Sequence, residues 1–287
     1  MKELTIISGK GGTGKTSVVA SFAALAQNKV LADGDVDAAD LHLILVPEIR
    51  HEEDFMGGRT ARINLEACTE CGECLERCQF DAISPDFVVN RIDCEGCGVC
   101  VHFCPVEAID FPQNICGKWY ISETRLGPMV HAKLGIAEEN SGLLVSLVRN
   151  QARVLAEDRG FDTIIVDGPP GIGCPVIASI TGASAVLVVT EPTLSGLHDL
   201  ERVGGLAAHF KIPTLACVNK FDLNEEISDQ IANFCARNHI ELVGRIPYDT
   251  AVTYAMVAGK SIVEFPDGRV SDAIRAIWHK VEHYLKG

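Results

Sequence analysis

Eight cysteines fall in two runs, CTECGECLERC (Cys68 to Cys78) and CEGCGVCVHFC (Cys94 to Cys104), each spaced C-x2-C-x2-C-x3-C. Three thiolates on one short winding loop can wrap a metal centre corner by corner, while the fourth lies too far along to close the same site. Structural zinc is the rival occupant, because four-cysteine zinc sites are common; those usually present two separated C-x2-C pairs, not a triple run used twice. A second constellation stands near the N-terminus. GKGGTGKTS (9–17) fits G-x4-G-K-[ST] between an apolar strand and a helix, where successive N–H groups and the helix N-terminus cradle phosphate. Gly11, Gly12 and Gly14 let the backbone approach the anion, with Thr13 and Ser17 completing the loop. Lys15 is expected to reach the β- and γ-phosphates and Thr16 to ligate Mg²⁺.

The cysteine runs resemble those of bacterial ferredoxins. That resemblance implies electron transfer through two [4Fe–4S] clusters with crossed ligation: Cys68, Cys71, Cys74 and Cys104 for cluster I, and Cys94, Cys97, Cys100 and Cys78 for cluster II. Pro105 follows Cys104 as the pattern expects; Gln79 follows Cys78, a departure that alters the local turn and not the ligand count. The runs belong to an internal repeat, CTECGECLERCQFDAIS (68–84) matching CEGCGVCVHFCPVEAID (94–110) at an offset of 26 residues, so duplication of a small unit is the simplest account.

Lys10 narrows the nucleotide motif. K-G-G-x-G-K-T resembles the deviant Walker A sequence of the family that includes the ParA and MinD ATPases, the Mrp-type cluster carriers and the nitrogenase iron protein. The resemblance implies that Lys10 reaches a partner subunit's nucleotide and that ATP binding makes a homodimer. Other stretches match the family in order. Asp33-Gly-Asp35 ends the second strand, and Asp35 would position the attacking water or Mg²⁺; Asp40 is a weaker candidate. In TIIVDGPPG (163–171), the resemblance makes Asp167 the expected Walker B-like ligand to Mg²⁺-bound water, and the glycine–proline turn would be the segment that senses γ-phosphate. CVNKFD (217–222) makes Asn219 the adenine candidate, and IPYD (246–249) places Pro247 in the loop over the base. A ferredoxin between strand two and SETRLGPMV looks like the MinD-superfamily P-loop ATPases that carry an inserted ferredoxin domain.

The elements that must position these groups follow from patterning. LTIIS, KVLAD, TIIVD, AVLVVT (185–190), TLACVN (214–219) and ELVGRI (241–246) are apolar runs of strand length, separated by helical stretches such as 141–158. The last segment places Ile274, Ile277, Trp278, Val281 and Leu285 on one helical stripe, the signature of a core-packing helix. The expected fold is α/β, a SIMIBI-type P-loop NTPase with a mostly parallel sheet, interrupted by a small α+β ferredoxin-like insertion. The expected domains are 1–50 with 118–287 for the ATPase and 58–115 for the insertion, with HEEDFMGGRT read as a polar connection.

Four cysteines remain. Cys217 and Cys235 sit in apolar stretches and are expected to pack in the core. Cys174, seven residues after Asp167, stands where the nitrogenase iron protein carries a cluster ligand; an intersubunit metal site or thiol pair is the expectation there, with Cys116 a poorly placed second ligand. The net charge of −14 disfavours nucleic acid and anionic membrane, and residues 60–115 hold ten acids against three bases, either a solvated face or a docking surface for a basic redox partner. No signal-peptide pattern or membrane-length apolar run is present, which points to the cytoplasm. Three functions are carried forward: ATP-dependent electron transfer, cluster assembly or carriage to an accepting protein, and spatial organisation with a redox sensor. The last lacks a basic membrane helix or DNA-binding face.

Overall fold

The computed structural model describes residues 1–135, 141–265 and 268–286. The chain opens with β1 (Lys2–Ser8), α1 (Lys15–Leu25), β2 (Lys29–Asp33), α2 (Leu41–Leu45) and β3 (Glu48–Arg59). It continues through β4 (Arg62–Ile63), α3 (Glu73–Arg77), α4 (Val99–His102), β5 (Ile109–Asp110), β6 (Gln113–Thr124) and β7 (Gly127–Leu134). Then come α5 (Ser141–Arg159), β8 (Thr163–Pro170), α6 (Cys174–Ile180), β9 (Ala185–Thr190), α7 (Leu194–His209), β10 (Thr214–Asn219), α8 (Glu225–Arg237), β11 (Glu241–Ile246), α9 (Ala251–Val257) and α10 (Arg269–Lys286). Two compact units result: one of Met1–Glu52, Trp119–Lys133 and the chain from Ser141, the other of Glu53–Lys118 with a short stretch from Leu134.

The first unit is built on a sheet ordered β11-β10-β9-β1-β8-β2-β7, with every adjacent pair parallel, continuing to β6 and β3. Parallel strands flanked by helices are buried on both faces, which is why β1, β8, β9 and β10 read as unbroken apolar runs. The strand order reverses at β1, whose neighbours are β8 and β9; in such sheets ligands bind beyond the carboxyl ends at that point. One core cluster joins α1 and α10, where the rings of Phe22 and Trp278 stand 4.9 Å apart. All five members of the terminal stripe are buried in it. Cys217 and Cys235 are buried as well, and burial pushes their thiols up to about 12 and about 11.

Three strands were not legible in the patterning. The polar stretch 51–60 belongs mostly to β3, and β6 and β7 occupy a region where the α/β pattern was expected to resume only near Glu123. Most of β3 is exposed, so its residues need no apolar alternation. No described helix is long and apolar enough to cross a membrane.

The second unit repeats itself in backbone as well as in sequence. Residues 26 apart share left-handed φ values: Glu70 and Gly96 (+55° and +61°), Gly72 and Gly98 (+81° and +73°), Asp81 and Glu107 (+50° and +53°). Helices α3 and α4 occupy equivalent positions. The pairing is exchanged between halves, Ile63 with Ile109 and Val89 with Ile83. The same exchange appears where Asn64 N–H bonds Ala108 O (2.8 Å) and Asn90 N–H bonds Ala82 O (2.7 Å). Its core is small: Ala61, Cys74, Ile83 and Ile109, with Cys78, Cys94, Cys100, Cys104 and neighbouring apolar side chains packed around them.

Candidate functional site

The phosphate loop leaves β1 at Ser8 and enters α1 at Lys15. Gly12 and Gly14 take φ +82° and +86°, which L side chains rarely adopt, and a Cβ on Gly14 would lie 2.3 Å from Asn219 Nδ2. Helix α1 therefore begins at a left-handed glycine without a side-chain cap, leaving its first N–H groups for a ligand. Near the end of β8, Gly168 packs so tightly that a Cβ would meet Ile7 Cγ2 at 2.7 Å, and just past the strand Gly171 N–H bonds Ser8 O at 2.9 Å. The DGPPG turn is thus tied directly to the strand that carries the loop.

Below the loop lies a buried charge cluster. The Lys15 ammonium bonds the Asp167 carboxylate and reaches Asp35 Oδ2 at 3.3 Å. Asp33 and Asp167 are opposite one another in the β2–β8 register, each about 1% exposed. Burial opposes the Lys15 charge, but Asp167 and Asp35 outweigh it and hold its pKa above the ordinary lysine value. Burial, and then the Asp167 charge, lifts Asp33 well above the ordinary carboxylate value; burial likewise raises Asp35. Three carboxylates face one ammonium, and the buried atoms Asp167 Oδ2, Asp33 Oδ2 and Thr13 Oγ1 have no hydrogen-bond partner. The orphaned carboxylate oxygens are free acceptors for a divalent cation, although among the described residues no three ligating side chains converge to hold one by themselves.

Above this cluster opens a cleft of about 520 Å³, within the usual range of ligand pockets. The loop residues Gly11, Gly12, Thr13, Gly14, Lys15, Thr16 and Ser17 line it together with Asp35, Asp40, Asn219, Lys220, Pro247, Tyr248 and Met256. The structure therefore brings the predicted loop residues, Asp35, Asn219 and Pro247 to one cleft, while Asp167 lies beneath it, behind Lys15. Asn219 Nδ2 donates to Thr13 O at 2.7 Å and its Oδ1 accepts the Lys220 N–H at 3.0 Å. The loop that carries Pro247 is pinned where Tyr248 N–H bonds Asp222 Oδ1 (2.7 Å). Lys10 is exposed and bonds Ser195 Oγ at 3.1 Å.

In the second unit, Cys68, Cys71, Cys74 and Cys104 line one cavity, and Cys78, Cys94, Cys97 and Cys100 line another. Each cavity takes three cysteines from one run and the fourth from the other. Among the described residues, no three His, Cys, Asp or Glu side chains converge closely enough to hold a single metal ion. Backbone N–H groups already address the sulfurs: Glu70 N–H to Cys68 Sγ (3.4 Å) and Ala108 N–H to Cys104 Sγ (3.2 Å). Burial lifts the thiols of Cys74 and Cys100 above the ordinary value.

Residues 4–262 match the CobQ/CobB/MinD/ParA nucleotide binding domain. The chain belongs to that family. An uncharacterized protein of Methanocaldococcus jannaschii, MJ0578, is 33% identical over 287 residues, covering 99% of this chain and 97% of its own length. The septum site-determining protein MinD of Bacillus subtilis is 29% identical over 140 residues, 47% of this chain and 51% of that protein. Among solved structures, the cell division ATPase MinD of Pyrococcus furiosus shares the fold at TM-score 0.60 and 18% identity, over 98% of both chains. Cobyrinic acid a,c-diamide synthase of Mycobacterium smegmatis, with a bound ATP analogue and magnesium, shares it at TM-score 0.52 and 17% identity, over 100% of this chain and 96% of that one.

A CobQ/CobB/MinD/ParA domain thus supplies the nucleotide cleft. One residue lining that cleft escaped the sequence reading together with its partner: Lys220, whose ammonium bonds Gly12 O (3.4 Å) and Glu191, the residue that follows β9. The NK dipeptide was in view, but Glu191 lies 29 residues from Lys220 and meets it only because β9 and β10 are neighbours. Cys174 is exposed at the start of α6. Cys116 is buried in β6, donating its S–H to Gly57 O at 2.7 Å.

Proposed function

We propose that this chain is an ATP-hydrolysing iron–sulfur protein, in which nucleotide-dependent dimerisation of the family domain is coupled to electron transfer through two [4Fe–4S] clusters on an inserted ferredoxin-like unit. The observation that carries the reading is the partition of eight cysteines into two cavities by crossed halves. A cubane presents its irons at separate corners and needs its thiolates spread around a volume, whereas zinc needs them gathered on a point. The exchanged pairing of Ile63 with Ile109 and Val89 with Ile83 supports a duplicated two-cluster unit.

In the nucleotide cleft, the N–H groups of 11–16 receive phosphate and Lys15 moves from Asp167 to the anion. Bound Mg²⁺ would neutralise phosphate charge, held by Thr16 with Asp35 and Asp167 behind its waters. Asp35, its pKa raised by burial, orients the attacking water and takes its proton. Lys10, exposed and bonded to Ser195 Oγ, reaches a second copy's nucleotide in this reading. The test is a redox titration of the reconstituted protein, by electron paramagnetic resonance, with and without Mg-ATP. Two [4Fe–4S] signals whose potential or partner reduction moves with nucleotide are expected. Absence of cubane signals, or indifference to Mg-ATP, overturns the coupling.

A second reading, cluster carriage to an accepting protein, draws on the exposure of Cys71 and Cys97, one thiol at the rim of each set. Mixing the loaded protein with an apo acceptor decides between them, since quantitative transfer favours carriage.

A further inference from the structure

A loop that turns its N–H groups inward to an anion must turn its carbonyls outward, and each carbonyl so turned needs a donor of its own. Here three are met by side chains. Ser8 Oγ donates to Lys10 O at 2.9 Å, Asn219 Nδ2 to Thr13 O at 2.7 Å, and Lys220 Nζ to Gly12 O at 3.4 Å. The last of these is held in place from behind: Glu191 binds the same ammonium, with its side chain 16% exposed against 29% for Lys220. The backbone at Lys220 takes φ +57°, a conformation uncommon for a lysine, and its N–H is secured by Asn219 Oδ1.

We propose that Lys220 is a positioning residue for the phosphate loop: clamped by Glu191, it fixes the Gly12 carbonyl outward and so presets the loop's N–H groups for the polyphosphate, whatever base is attached. This rests on the reading of the cleft as a nucleotide site. Glu191 has a defined part in it. If the ammonium instead contacted phosphate directly, Glu191 would compete with the ligand, and removing its charge would tighten binding. If the ammonium acts through Gly12, Glu191 holds it in place and removing its charge weakens binding.

The test is calorimetric titration of the full chain with Mg-ATP, Mg-ADP and inorganic tripolyphosphate, which has no base. Lys220→Gln is expected to weaken all three by a similar factor, about tenfold, as loss of a charge-assisted hydrogen bond does. Lys220→Arg should restore most of the affinity, and Glu191→Gln should weaken all three less severely. A Lys220→Gln protein that loses ATP and ADP but keeps tripolyphosphate overturns the proposal in favour of a base contact. Tighter binding by Glu191→Gln overturns it in favour of a direct phosphate contact, and unchanged binding by Lys220→Gln overturns it outright while leaving the nucleotide site standing. A wild-type protein that binds none of the three ligands removes both.

Discussion

The Lys15 ammonium is bonded to the Asp167 carboxylate, so the lysine that should meet phosphate is already engaged by the acid that should meet the metal. Phosphate must compete with that bond. Asp167→Asn should therefore bind nucleotide more tightly in the absence of Mg²⁺, by about tenfold or 1.4 kcal/mol, while hydrolysis falls at least about a hundredfold. Fluorescent-nucleotide titration in chelator together with a phosphate-release assay measures both. Equal Mg²⁺-free affinity in the two proteins would remove the competition.

Asp33 offers a prediction in pH. Its pKa is raised well above 3.8 by burial and by Asp167, and its Oδ2 has no partner. With the folded value above the unfolded one, the stability tied to Asp33 is full below about 3.8 and is lost as pH rises through the folded value. Asp33→Asn keeps an oxygen for the Asp35 N–H and offers an N–H toward Asp167. It should gain about 1–3 kcal/mol at neutral pH, with the gain shrinking toward zero in acid. Urea unfolding of the nucleotide-free protein across pH 4 to 8 reads the difference; a gain that does not fade in acid contradicts the assignment.

Crossed ligation is tested by pairing substitutions. Cys68→Ser with Cys104→Ser removes two ligands of one set and should cost one cluster, whereas Cys68→Ser with Cys78→Ser touches both sets and should cost two. Iron and sulfide analysis after anaerobic reconstitution gives the count. If the Cys68/Cys78 pair costs one cluster only, each run closes its own site.

Among the four cysteines outside the runs, Cys174 alone is exposed, while Cys116, Cys217 and Cys235 are buried. Brief treatment of the loaded native protein with a maleimide should label Cys174 and spare the other three, as peptide mapping will show. An intersubunit role for Cys174 further requires that Mg-ATP slow the labelling; an unchanged rate would dismiss it.

What the sequence made legible follows from which interactions are local. The phosphate loop, the aspartates at strand ends and the central strands were readable because glycine spacing and buried apolar runs leave their mark within a few residues. Strands β3, β6 and β7 were not. In β3 most side chains face solvent and any polar residue serves. Lys220 and Glu191 escaped for a different reason, since their bond is a product of sheet order. The repeat of the cysteine spacing was legible, but the symmetric use of Asn64 and Asn90 emerged only with the backbone.

The exchange between the halves of the second unit means that each half clasps the other. Ile63 and Ile109, Val89 and Ile83, and the fourth cysteine of each set all cross from one half to its mate. The unit is in effect a domain-swapped pair written into a single chain, and neither half holds a complete site to lose or keep by itself. Neither set of four cysteines can therefore gather from one half alone, and each waits on the folding of both.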